Sequence, residues 1–74
     1  MEHLMIERNP EIMFGKPVIK GTRITVEFLM RKLADGFTVD EILEMYPHLS
    51  LAQILAAFAY AADIIANEIV IEAA

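Results

Sequence analysis

The stretch "FGKPVIKGTRITVEFL", Phe14 to Leu29, holds two glycines, a proline and three of the six basic residues of a chain that is acidic overall. It decides the fold, because it is either a phosphate-binding loop, a hairpin, or the entry to a helix. A phosphate loop of the form G-x-x-x-x-G-K-[ST] needs a lysine directly after its second glycine and a helix opening there. Here five residues separate Gly15 from Gly21, Thr22 stands where lysine should, and "TRITV" is rich in β-branched side chains. Nucleotide binding is therefore set aside. Val18-Ile19 and Arg23-Ile24 favour strands, and Lys20-Gly21 between them is suited to a tight turn in which glycine takes a positive φ. The stretch reads as a hairpin that runs into a helix at Thr25.

Downstream, the helical signals follow one another closely. Val26, Leu29, Met30 and Leu33 recur at i, i+3, i+4 and i+7, Glu27 and Arg31 are spaced to pair on the outer face, and Asp35-Gly36 provides a glycine stop. "TVDE", Thr38 to Glu41, is a capping box, followed by Val39, Ile42, Leu43 and Tyr46 at helical spacing and closed by Pro47. "SLAQ", Ser50 to Gln53, is a second capping box, and the apolar run after it reaches about Asn67 without a breaker. The second and third helices, joined by "PHL", have the spacing of a helix-turn-helix, a spacing that small helical bundles share. Upstream, "LMIERN" favours another strand. The tail "EIVIEAA" suits a strand, a helical turn or a segment ordered by a partner. We therefore expect an α+β, mainly helical single domain over 1–74, with a strand and hairpin region at 1–24, a three-helix bundle at 25–67 and a short tail at 68–74.

A chain of 74 residues buries only about 60% of its unfolded surface, so its core alone gives marginal stability. With no cysteine, disulfides are excluded, and His3 and His48 lie too far apart to suggest structural zinc. No cofactor or metal is expected. Hydrophobic residues form 57% of the sequence, an excess that points to an interface. "MEHLMIERNPEI" lacks the pattern of a signal peptide, and no window reaches the ~20 apolar residues of a membrane span, so a cytoplasmic location without membrane contact is expected.

The third helix carries most of that excess. Gln53, Tyr60, Asp63 and Asn67 fall within about 80° of one another at 100° per residue, leaving roughly three-quarters of the circumference apolar. Two short helices and a hairpin cannot cover such a surface. A homodimer through Ile54, Phe58, Ala59, Ala62 and Ile65 is the expected remedy, the alanines permitting close approach of two helices.

Charge divides the chain in two. All six basic residues stand in the first 32 positions against four acids, giving +2; the remaining 42 residues hold seven acids and no base, giving −7. Any contact with phosphate falls to the N-terminal part, and Lys16, Lys20, Arg23, Arg31 and Lys32 are its candidates. The third helix offers base edges only Ser50 and Gln53. An enzyme is not expected. Asp40, Glu41 and Glu44 read as a solvated helix face, Asp63 as part of the polar strip, and His48 as a turn residue with no Ser, Cys or Asp at a recommending distance.

Taken together, "NPEI", "GKPVIKGTRITV" and "LADGFTVDEILEMYPHLSLAQILAAFAYAA" resemble the small prokaryotic family known as domain of unknown function 433, over about Ile6 to Asp63. The resemblance implies a homeodomain-like helix-turn-helix bundle. It also implies a non-enzymatic, dimeric, antitoxin-like role, several members being paired with PIN-like ribonuclease toxins; promoter DNA is a further candidate partner, through autorepression. Only "NEIVIEAA" follows the third helix, which speaks against a long toxin-wrapping tail. The competing expectation is a dimeric protein-protein interaction module whose helix-turn-helix no longer binds DNA.

Overall fold

The structure is a computed structural model that describes residues 3–73, with side chains described through Asn67. Two short strands, β1 (Ile6–Glu7) and β2 (Val18–Ile19), precede three helices, α1 (Val26–Ala34), α2 (Val39–Met45) and α3 (Leu51–Ala73). The fold is α+β and mainly helical, a small antiparallel hairpin followed by three helices. α3 continues helical through the tail that the sequence leaves open.

The strands pair Ile6 with Ile19 and Glu7 with Val18. The partner of β2 is thus the N-terminal strand, whereas the sequence pairs Val18-Ile19 with Arg23-Ile24. Lys20 and Gly21 do turn the chain: Thr22 N–H donates to the Ile19 carbonyl at 2.9 Å, and Gly21 has φ +81°. After the turn, however, the Thr22 hydroxyl donates to the same carbonyl at 2.8 Å and accepts from Ile24 N–H at 3.0 Å. These local bonds shorten the returning arm to one Ile19 N–H to Ile24 carbonyl bond of 2.9 Å and a bridge between Val18 and Thr25.

Each helix begins where its sequence signal lies, and α1 and α2 also end where theirs do. The Thr25 hydroxyl accepts from Phe28 N–H at 2.9 Å, capping α1. At its other end Phe37 N–H donates to Lys32 and Gly36 N–H to Leu33, with Gly36 at φ +97°, a Schellman termination. The Thr38–Glu41 and Ser50–Gln53 boxes are both closed by reciprocal bonds of 2.8 to 3.2 Å.

The core gathers Ile19 from β2, Val26 and Leu29 from α1, Ile42 from α2, Leu49 from the turn, and Ile54 and Ala57 from α3. One expected interface residue is thereby corrected. Ile54 is wholly buried against its own chain and is unavailable to a partner, and Phe58 packs partly on the same cluster. Residues 54, 57, 58 and 61 form the stripe that faces the body, at the i, i+3, i+4, i+7 spacing of a buried helix face. The sequence could not set this phase, because α3 is apolar nearly all round. Ala59, Ala62 and Ile65 lie on exposed parts of the helix.

Between the strands, the Asn9 side chain accepts from Glu11 N–H at 2.9 Å, and Met13, Phe14 and Gly15 turn with successive φ of 48°, 59° and 79°. Phe14 is 94% exposed. A bulky residue in the left-handed region costs roughly 1–2 kcal/mol, and here no burial offsets it.

Two stability measurements follow. Phe14→Asn should stabilise by on the order of 0.5 kcal/mol, since asparagine tolerates this backbone and no packing is lost; a lower urea midpoint would show that Phe14 packs in solution. Gly21→Val should destabilise by ~1 kcal/mol or more through strain alone, because nothing lies within 4 Å of the added Cβ. An unchanged melting temperature would count against the turn.

Candidate functional site

The five cations proposed for phosphate contact separate into three groups. Lys16 Nζ lies 3.0 Å from Glu27 Oε1, and Arg31 Nη2 lies 3.1 Å from Glu27 Oε2. Glu27 thus stands between two cations. The hydrogen bond from Lys16, followed by that from Arg31, holds its carboxyl below the usual glutamate range. All three side chains are solvent-exposed, so the triad contributes little to stability, yet it draws two cations toward one carboxylate. Lys32 is placed differently. Its Nζ sits 5.3 Å from the Phe28 ring centre and 4.9 Å from that of Phe37. Lys20 and Arg23 remain on the exposed turn, and neither enters a salt bridge among the described residues. Arg23 borders a shallow cavity of about 220 Å³ with Met13, Phe28 and Tyr46.

α3 presents little that reads a base. Gln53 Oε1 accepts from Ser50 N–H at 2.8 Å, so the candidate reading side chain is engaged in the cap. Beside it, Leu51 and Leu55 are 50% and 52% exposed, one turn apart on the same face. An apolar pair at the start of a helix suits a protein surface better than a groove lined with hydrogen-bonding edges.

The polar strip of α3 has a use that the sequence does not disclose. His3 Nε2 lies 2.8 Å from Asp63 Oδ2, and the imidazole meets the Tyr60 ring edge-on with centres 5.1 Å apart. Arg8 joins this cluster, its guanidinium carbon 5.7 Å from the Tyr60 ring centre. Together these contacts pin the segment before and after β1 onto α3. Sixty positions separate His3 from Asp63, so no local pattern could have linked them; the one clue is a polar strip on an otherwise apolar helix.

A carboxylate beside an imidazole can orient a general base, but the adjoining cavity of about 360 Å³ is lined by His3, Tyr60, Asp63, Ile64, Ala66 and Asn67. No serine, threonine or cysteine stands there to be activated. The dyad's geometric effect is anchorage. Elsewhere Asp40, Glu41 and Glu44 are exposed on α2, and Glu41 closes a capping box. His48 touches the edge of Tyr46, ring centres 6.4 Å apart. Among the described residues no group of three His, Cys, Asp or Glu side chains is placed to hold a metal ion, and no helix is long and apolar enough to cross a membrane.

A second apolar surface lies between α1 and the later turns of α3. This groove of about 330 Å³ is lined chiefly by Val26, Met30, Ala61, Ile64 and Ile65, with Arg8 and Glu27 among its bordering residues.

Comparison with known proteins agrees with the fold and motifs. A crystal structure of a DUF433 member protein from Anabaena variabilis ATCC 29413 superposes with a TM-score of 0.77 at 30% identity, over 80% of this chain and 58% of that one. An uncharacterized protein of Sinorhizobium fredii, y4eO, is 35% identical over 57 residues. That match takes in 77% of this chain and 26% of the relative, so the chain spans about a quarter of the length of the curated protein it resembles. Residues 6–61 match the family described as Protein of unknown function (DUF433), from β1 to the last core turn of α3, and the chain belongs to that family.

Proposed function

We propose that this chain is a non-enzymatic binding module of antitoxin type, whose principal partner is a protein and whose contact with DNA, where made, is through phosphates. The observation that carries this reading is the start of α3, where Leu51 and Leu55 face solvent and Gln53 is held by its own cap. An apolar, uncharged helix start favours a protein partner; in the antitoxin reading that partner is a PIN-like ribonuclease toxin. Promoter binding would rest on Lys20 and Arg23 at the exposed turn, with Lys16 and Arg31 partly neutralised by Glu27. The engaged Gln53 also favours a second reading, a protein-protein module whose helix-turn-helix does not bind DNA.

Two experiments test and separate these readings. Co-expression with the product of the adjacent reading frame should give a stable complex that Leu55→Glu abolishes while the melting temperature of the free protein stays nearly unchanged, since Leu55 is half exposed. A complex indifferent to both Leu51→Glu and Leu55→Glu would move the partner surface elsewhere, and failure of that product to associate would remove the antitoxin reading.

For DNA, gel shifts on the upstream region at two salt concentrations should show Lys20→Ala and Arg23→Ala each lowering the salt slope by up to about one unit. Glu27→Gln should raise affinity by freeing Lys16 and Arg31. Absence of a shift at low salt, even with Glu27→Gln, would leave the second reading standing.

A further inference from the structure

α3 is longer than the body it packs on. Its 23 residues extend about 34 Å at 1.5 Å per residue, but its packing against the core cluster ends at Ala61. Asp63 is held by His3, and then Ile64, Ile65, Ala66 and Asn67 are exposed in succession. Four consecutive residues cover every direction around a helix, and at this level the chain's own body covers α3 only in part, Ile64 being 38% and Ile65 50% exposed. The sequence from Ile64 to Ala73, "IIANEIVIEA", holds five β-branched aliphatic residues and no base. At its root lies the apolar groove between α1 and α3, walled by Val26, Met30, Ala61, Ile64 and Ile65.

We propose that this groove receives the C-terminal half of α3 from a second copy of the chain, the two helices running antiparallel about a two-fold axis. A groove walled partly by α3 itself makes the contact self-complementary: whatever α3 offers, its copy must accept, and a two-fold axis satisfies both at once.

Charge selects the direction. α3 carries Asp63, Glu68 and Glu72 and no Lys or Arg, so parallel helices would set each carboxylate beside its own copy. Antiparallel pairing centred near Ile65 instead carries residues 68–72 of one helix past positions 58–62 of the other. There Arg8 lies over Tyr60 at the border of the groove. The basic N-terminal part of one copy thereby meets the acidic C-terminal part of the other. Ala61 and Ala62 lie where the helix backbones would approach.

This inference stands apart from the antitoxin reading, since it needs neither toxin nor DNA. Sedimentation equilibrium of the full chain should show a dimer in the micromolar range. Ile65→Glu should convert it to monomer with helical content kept, as Ile65 is 50% exposed in the single chain. Arg8→Glu should weaken association about tenfold or more, and Arg8→Glu combined with Glu68→Arg and Glu72→Arg should restore it. Because the chain has no cysteine, Ile65→Cys can be oxidised alone: it should cross-link the dimer rapidly, whereas Glu72→Cys should not. A monomer at every concentration, or a dimer indifferent to Ile65→Glu, overturns the proposal. Cross-linking of Glu72→Cys as fast as Ile65→Cys overturns the antiparallel arrangement.

Discussion

Thr25 is the residue on which the arrangement of hairpin and helices depends. It is the buried polar residue of the core region, 7% exposed, and its hydroxyl caps α1 through Phe28 N–H. Its backbone is bridged to Val18, and the next amide, Val26 N–H, donates to the Pro17 carbonyl at 2.9 Å. Helix start and strand are thus tied within two residues. The strand needs no further length, because the first orphan amide of α1 is satisfied by the residue just before β2. With that junction fixed, Val26 and Leu29 fall onto Ile19, and α3 closes the core with Ile54 and Ala57. A β-branched Thr at this site serves strand and cap equally, since it suits extended backbone and carries the required oxygen.

The sequence discloses what is local and conceals what is distant. Both capping boxes, the Gly36 stop and the positive φ of Gly21 are set by residues at most five apart, and each appears where its pattern lies. The pairing of β1 with β2 is not of that kind. It joins Ile6 to Ile19 across a turn in which Met13 and Phe14 adopt a conformation no propensity assigns to them. The His3–Asp63 contact is more remote still, and only Asp63's place on the polar strip hints at it. Ile54 was concealed for a different reason. Periodicity locates a buried face by contrast, and a helix that is apolar on most sides supplies little contrast to read. Among the candidate cations the sequence supplied identity but not availability, because Glu27 and the rings of Phe28 and Phe37 compete for three of the five.

Glu27 shows how one acid alters the electrostatics of a basic region. Its side chain is about half exposed, and its ion pairs are weakly stabilising at the surface. Its effect is on what a polyanion would meet. A phosphate approaching Lys16 or Arg31 must displace a carboxylate already held by two cations. At the turn, Lys20 and Arg23 meet no such competitor among the described residues. Two of the five candidate cations thus meet a carboxylate before a phosphate, which would limit the number of counterions any duplex could release.

α3 joins these separate demands in one element. Its early turns fill the core and show Leu51 and Leu55 on the outer side, and its middle receives His3 and Arg8 at Tyr60 and Asp63. Because the stripe packed on the core ends at Ala61, Ile64 and Ile65 beyond it are only partly covered by their own chain, and the proposed second copy would cover the rest. A domain of this size gains little margin from its own core, so covering that surface would make folding and assembly one equilibrium, with stability rising as concentration rises. The N-terminal strap is part of that coupling. It lies on α3 just past the last core turn, where His3 and Asp63 tie the N-terminal segment to the helix. Loosening the strap would free this turn of α3 and the Arg8 border of the groove together, because the side-chain hydrogen bond of greatest sequence separation among the described residues, His3 to Asp63, lies just past the last core turn.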